Sequence, residues 1–223
     1  MIGLFGGTFD PIHHGHLRVA LDVHQALGFD ELRFLPLNVA VHRDQPHASG
    51  AQRRAMLAAA VAGERGFRID DRELRRPGRS YTVDTLASIR AEVGEREAIC
   101  LLVGADAFNG FFDWHRPYAI LELAHLVVML RPGTSLQREP ELRNEVERRR
   151  TRRRGDLADA PAGRIWLESV TQLDISSTRI RQMLAVGRSP RYLLPDPVLE
   201  LIRRDGCYLG ERQAMSSERQ VGR

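Results

Sequence analysis

The sequence predicts an α/β protein built on a doubly wound parallel sheet, and three observations lead there. Apolar runs of strand length alternate with amphipathic segments of helical period. Parallel neighbours are joined by helical crossovers, so this alternation selects a parallel sheet with helices on both faces. The residues a packed core least needs, namely glycines, histidines and an Asp-Pro pair, stand directly behind strand patterns, where open α/β sheets hold their ligands.

The strand patterns are Ile2 to Phe5, Leu32 to Leu35, Phe67 to Ile69, Ala98 to Val103, His125 to Leu130 and Ile165 to Glu168. Helical patterns lie between them at His16 to Leu27, Gln52 to Val61, Thr82 to Val93 and Tyr118 to Ala124. Residues 137–163 are polar and include RRRTRRRG, with six arginines between Arg148 and Arg154. Without interleaved aromatics that run reads as a solvated helix end or loop rather than a nucleic-acid stripe. No internal repeat is visible. A single domain over residues 1–210 is expected, its part from about 175 to 210 helical, with 211–223 as a disordered tail.

Composition narrows the class. With 43% hydrophobic and 28% charged residues, the chain of 223 falls among ordinary globular proteins. Its longest apolar stretch, Ala119 to Leu130, is broken by Glu122 and His125 and falls short of the ~20 residues that cross a bilayer. The opening IGLF has no basic leader, so a cytoplasmic protein is expected. Cys100 and Cys207 show no metal or redox spacing and read as reduced thiols. All 33 basic residues are arginine, which excludes a Walker-type lysine and Schiff-base chemistry. Arginine offers a planar fork to phosphate oxygens, so a pI near 9.6 suits an anionic substrate.

The most informative stretch is GGTFDPIHHGH, Gly6 to His16. Gly6 and Gly7 let a ligand approach the main chain and meet its N–H groups. Asp10-Pro11 turns the chain, and His14-Gly15-His16 opens a helix whose first N–H groups and dipole favour anions. His13 and His16, three apart, fall on one face of that helix start and can donate to a phosphoryl group as its charge grows. Zinc would need a third close ligand, and neither a nearby Cys nor an HExxH pattern supplies one, so no protein metal site is expected. A second stretch, ISSTRIR from Ile175 to Arg181, places Ser176, Ser177 and Thr178 where a helix N-cap and first turn want hydroxyls. Arg181 then stands one turn further on, within reach of a triphosphate.

Together these two stretches, about 160 residues apart, resemble the signatures (H/T)xGH and ISSTxIR of a nucleotidyltransferase superfamily. Further stretches are similar to bacterial nicotinate-nucleotide adenylyltransferases: VHRDQPHASGAQRRAML from Val41, RSYTVDTL from Arg79, LLVGADAF from Leu101, DWHR from Asp113, HLVVMLRPG from His125 and YLLPDPV from Tyr192. The resemblance runs to about Leu209 and implies a Rossmann-like nucleotidyltransferase fold. It implies transfer of the adenylyl group of ATP to nicotinate mononucleotide, releasing pyrophosphate, with Mg²⁺ carried on the ATP phosphates and no covalent enzyme intermediate. His13, His16 and Arg181 would be catalytic, with Gly6, Gly7, Thr8, Phe9, Ile175, Ser176, Ser177 and Thr178 at ATP. Asp10, His42, Arg43, Tyr81, Thr82, Val83, Gly104, Asp106, Trp114, His115 and Arg131 would surround the mononucleotide. In that set His42 and Arg43 meet its phosphate, Gly104 and Asp106 its ribose, and Trp114 stacks on the pyridine ring.

Ala40-Val41 replaces two prolines common in the family, so a more mobile substrate loop is expected. The implied partners are the two nucleotides, with no nucleic acid and no membrane; homo-oligomerisation stays open. A pantetheine-phosphate adenylyltransferase usually has Thr at the place of His13 and leaves the DWH and YLLP stretches unexplained. A nicotinamide-preferring enzyme is a nearer alternative. A non-catalytic RNA binder using the arginine run would need neither histidine, and its binding would fall steeply with salt.

Overall fold

The computed structural model describes residues 1–38, 45–130 and 140–209. Seven strands, β1 (Ile2–Gly7), β2 (Glu31–Pro36), β3 (Phe67–Ile69), β4 (Ile99–Gly104), β5 (His125–Leu130), β6 (Arg150–Thr151) and β7 (Ile165–Ser169), form one sheet. Its order is β3-β2-β1-β4-β5-β7-β6, and every neighbouring pair is parallel. The connections carry α1 (His14–Leu27), α2 (Gly50–Val61), α3 (Arg72–Arg75), α4 (Thr82–Val93), α5 (Ala105–Asn109), α6 (Pro117–Leu123), α7 (Pro140–Arg149) and α8 (Gly155–Ala158). After β7 come α9 (Ser177–Ala185) and α10 (Asp196–Arg204).

Side chains of a strand alternate between its two faces, and that alternation divides the core. Ile2 and Leu4 of β1, with Ile99, Leu101 and Val103 of β4, pack on Val83, Leu86 and Ile89 of α4. Phe5, Cys100 and Leu102 point the other way, onto Ala20, Val23 and Leu27 of α1 and Val198, Leu199 and Ile202 of α10. The predicted strands and helices all appear, within a few residues of their expected ends. The RRRTRRRG run differs in part. Arg148 and Arg149 close α7 with guanidiniums 2.7 and 2.6 Å from the Glu145 carboxylate. Arg150 and Thr151 then form the edge strand β6, held by register with Ile165 and Trp166 of β7, and two residues are too few to show a period in sequence. Both cysteines are buried free thiols, and burial pushes Cys100 up to about 12. Among the described residues no helix is long and apolar enough to cross a membrane.

Candidate active site

The chain leaves β1 toward β2 and β3, and leaves β4 toward β5, β7 and β6. The carboxyl ends of β1 and β4 are therefore the switch point of the sheet, where a ligand crevice opens. A Cβ added at Gly6 or at Gly104, at those two ends, would meet nothing within 4 Å, so the floor of the crevice is open. Gly7 is glycine for another reason: its Cβ would lie 2.8 Å from the Phe9 ring. Phe9 itself departs from expectation. Its ring is 2% exposed and packs on Phe5, Phe34 and His16, so only its backbone, at φ 48, can face a nucleotide.

His13 is the N-cap of α1 and His16 lies in its first turn, so the predicted spacing holds. The rings stack, 3.7 Å between centroids and 26° between planes. A Cβ at Gly15 would come 3.0 Å from the His13 ring, so the glycine permits the stack. Nδ1 of each histidine, and Oγ1 of Thr8, is buried with no hydrogen-bond partner among the described residues. Three orphaned polar atoms in one strand-to-helix turn are the signature of a site built for a polar ligand. Burial, helped by the neighbouring His14, lowers the His13 pKa to about 4; burial and His13 hold His16 well below its usual range. Both rings are therefore neutral at pH 7, each with one N–H to donate.

The second motif closes on the first. Ser176 caps α9, its hydroxyl accepting from the Arg179 amide at 3.2 Å, as its residue type predicts. Ser177 donates its hydroxyl to the Pro11 carbonyl at 2.9 Å, and Arg181 donates Nη1 to the Asp10 carbonyl at 2.7 Å. The Ile175 carbonyl lies 3.5 Å from where a Gly15 Cβ would be. Ile175, Ser177 and Arg181 thus stand against the histidine turn, while Thr178 accepts from Arg181 Nη2 at 3.4 Å.

On the opposite face of the sheet α4 begins at Thr82, with Tyr81 as an N-cap that makes no side-chain bond. The first N–H groups of the helix, those of Thr82 and Val83, precede any intrahelical acceptor. The Val83 side chain is in the core, so only its amide can serve a ligand. The Tyr81 ring lies 4.6 Å from the exposed His115, and half-buried Trp114 packs 5.6 Å from Phe111. Asp106 is exposed in the first turn of α5, just past Gly104. The histidines come from a helix on one face and the α4 start from the other, so two ligands would meet over the strand ends between them.

The cytidylyltransferase-like family model matches residues 4–183. A Methylococcus capsulatus protein named "probable nicotinate-nucleotide adenylyltransferase" is 50% identical over 93% of this chain and 99% of its own length. The chain belongs to the nicotinate-nucleotide adenylyltransferase family. A protein of Aeromonas hydrophila with the same name is 44% identical over 93% of this chain and 96% of its own. A solved nicotinic acid mononucleotide adenylyltransferase of Plasmodium falciparum, complexed with NaAD, shares the fold at TM-score 0.69 and 15% identity, covering 93% of this chain and 96% of that one.

In this adenylyltransferase-family chain the Asp10 carboxylate is engaged by the protein itself. The group, 4% exposed, accepts from the His47 and Ala48 amides at 2.8 and 3.0 Å and from the Tyr208 hydroxyl at 2.7 Å. Those bonds hold its pKa below the usual carboxylate range against the opposing effect of burial. Asp10 is a tie between the β1–α1 turn, the segment after β2 and the C-terminal end. Sequence reasoning missed Arg53. Buried in α2, it donates to the carbonyls of Ala48, Thr8 and Leu37 at 3.2, 2.9 and 2.7 Å and so fixes the same turn. Its spacing to buried Met56 and Leu57 marks it as facing the core, a signal available in the sequence. His42, Arg43 and Arg131, with Ala40-Val41 and the tail from 211, lie outside the described residues.

The depressed histidines carry a stability consequence in this family member. The unfolded chain binds protons near pH 6.5 that native His13 refuses until about pH 4, so stability falls as pH drops through that window. Asp10 and Asp70, held below 3.8, give way only at lower pH, and Glu73, pushed up by burial, acts in the opposite direction. From pH 7 to pH 5 the His13 contribution comes to about 2 kcal/mol. Urea unfolding at the two pH values should show that loss in the unmutated protein and a smaller one in His13→Asn; equal losses would place the proton uptake elsewhere.

Proposed function

We propose that this protein transfers the adenylyl group of ATP to nicotinate mononucleotide, forming the deamido dinucleotide and pyrophosphate. The observation that supports it is the stacked, neutral histidine pair, with its orphaned nitrogens, held between the open strand ends and the α9 start. An oxygen of the mononucleotide phosphate attacks the α-phosphorus; the bond from that phosphorus to the bridging oxygen breaks, and pyrophosphate leaves with the electron pair. Such transfer needs positioning and charge stabilisation more than covalent chemistry. His13 and His16 donate N–H groups, and Thr8 its hydroxyl, to phosphate oxygens whose charge rises in the transition state. The approaching polyanion favours protonation of the two rings, which strengthens those bonds as they form. Arg181 braces the turn through the Asp10 carbonyl and keeps α9 at the triphosphate.

No group of three His, Cys, Asp or Glu side chains able to hold a metal occurs among the described residues. Donors such as Thr8 and the imidazoles fit phosphate oxygens, so Mg²⁺ would arrive on ATP and supply charge neutralisation there. At the other end, the Thr82 and Val83 amides favour an anionic carboxylate on the pyridine ring, and Trp114 offers a face for the ring itself. Incubation with α-³²P-labelled ATP and the mononucleotide should place the label in the dinucleotide and none on the protein. Label retained on the protein would contradict direct attack.

A further inference from the structure

Glu73 is the one buried acid of the α3–α4 region whose place in the reaction nothing above explains. It is 3% exposed, yet it sits in a helix of four residues on the way to α4. Its Oε1 accepts from the Thr85 hydroxyl at 2.8 Å, and its Oε2 is buried with no partner among the described residues. Thr85, itself 2% exposed, is the fourth residue of α4, and Ser80 immediately precedes the N-cap Tyr81. The carboxylate therefore holds the first α4 turn through Thr85. A second set of bonds fastens the same turn: the Asn38 amide donates to the Arg76 carbonyl at 3.0 Å, and Arg76 Nη1 lies 3.4 Å from the Thr85 hydroxyl.

We propose that Glu73 is a positioning residue for the acceptor nucleotide, setting the Ser80–Thr85 arm so that the Thr82 and Val83 amides and the Tyr81 ring meet the pyridine end. The inference rests on the function proposed above. Burial pushes the Glu73 carboxyl above its usual range, so an acid is kept here against a desolvation cost. Plain packing would be served by an apolar residue of the same size. The loop that Glu73 holds contains Pro77 and Gly78, the latter at φ 87, and lacks regular structure of its own. Arg72 of α3 also holds α4, donating Nη1 to the Ser88 hydroxyl at 3.0 Å, but that contact lies in the second turn, whereas the Glu73 carboxylate holds the first turn through Thr85.

The effect should be selective, because the ATP side is assembled from β1, α1 and α9 and none of the bonds described there passes through Glu73. Steady-state kinetics and thermal melts of the unmutated protein, Glu73→Ala, Glu73→Gln and Thr85→Val test it. Glu73→Ala should raise the KM for nicotinate mononucleotide by roughly 10- to 100-fold, the scale of an ångström-sized misplacement, and leave the KM for ATP within about twofold. Glu73→Gln keeps an acceptor for Thr85 and should return the mononucleotide KM to within about threefold of normal. Should Glu73→Ala not fold, Thr85→Val, which removes one hydroxyl, must show the same one-sided rise. A lowered melting temperature with both KM values unchanged, or an equal rise in both, would make Glu73 a structural residue and overturn the proposal. Absence of turnover of nicotinate mononucleotide by the unmutated protein would instead strike the proposed function, and the two failures are read from different samples.

Discussion

His16→Ala should lower kcat by about 10²- to 10³-fold, the loss seen when one preorganised donor to a developing charge is removed. The ring is placed for that task by its surroundings rather than by its own hydrogen bonds. It stacks on His13, meets Phe9 edge-on at 5.2 Å and Phe5 at 6.3 Å, and leaves Nδ1 buried without a partner among the described residues. A group so fixed reorganises little when charge appears, which is where an enzyme donor gains over water. Ground-state ATP gains less from it, so the KM for ATP should change far less than kcat. Stopped-time assays at saturating ATP check this, and a near-normal kcat would remove His16 from the mechanism.

Arg53→Met should destabilise the fold by about 2–5 kcal/mol. The substitution keeps the apolar stem but strips the donors from the carbonyls of Thr8, Leu37 and Ala48, and hydrogen bonds to charged groups are worth about 1.5–3 kcal/mol each before relaxation and new solvation recover a part. For a chain of this length that corresponds to a fall in Tm of roughly 5–15 °C. Because Arg53 ties the histidine turn to the segment after β2, activity should decline below the melting transition as well. A Tm within about 2 °C of the unmutated protein would show that the guanidinium is dispensable.

What could be read from the sequence was what short-range chemistry determines. The β1 and β4 patterns, the α1 start behind Asp-Pro and the Ser176 cap follow from local residue types, and the structure shows them. Roles that depend on distant partners were not legible. The Asp10 carboxylate is bound by an amide 37 residues away and a hydroxyl 198 residues away, partners that its place in the signature does not announce. The burial of the Phe9 ring is equally hidden, since it turns into the core through a positive φ that no propensity announces. Glu73 and Tyr208 drew no notice: one lies in a four-residue helix and the other beyond the last helix, where periodicity carries no information.

The proposed function requires the α4 start to read a carboxylate while the histidine turn facing it activates ATP. Its most direct test is kcat/KM for pyrophosphate release from ATP with nicotinate mononucleotide, nicotinamide mononucleotide and phosphopantetheine in parallel. An amide offers one oxygen where a carboxylate offers two, so its NH₂ would face one of the Thr82 and Val83 N–H groups, leaving a donor unpaired at about 1–3 kcal/mol, and it would forgo a dipole gain of about 0.3–1 kcal/mol. The acid should therefore be preferred over the amide by roughly 10- to 1000-fold, with phosphopantetheine inactive. Comparable values for acid and amide, or activity with phosphopantetheine alone, would contradict it.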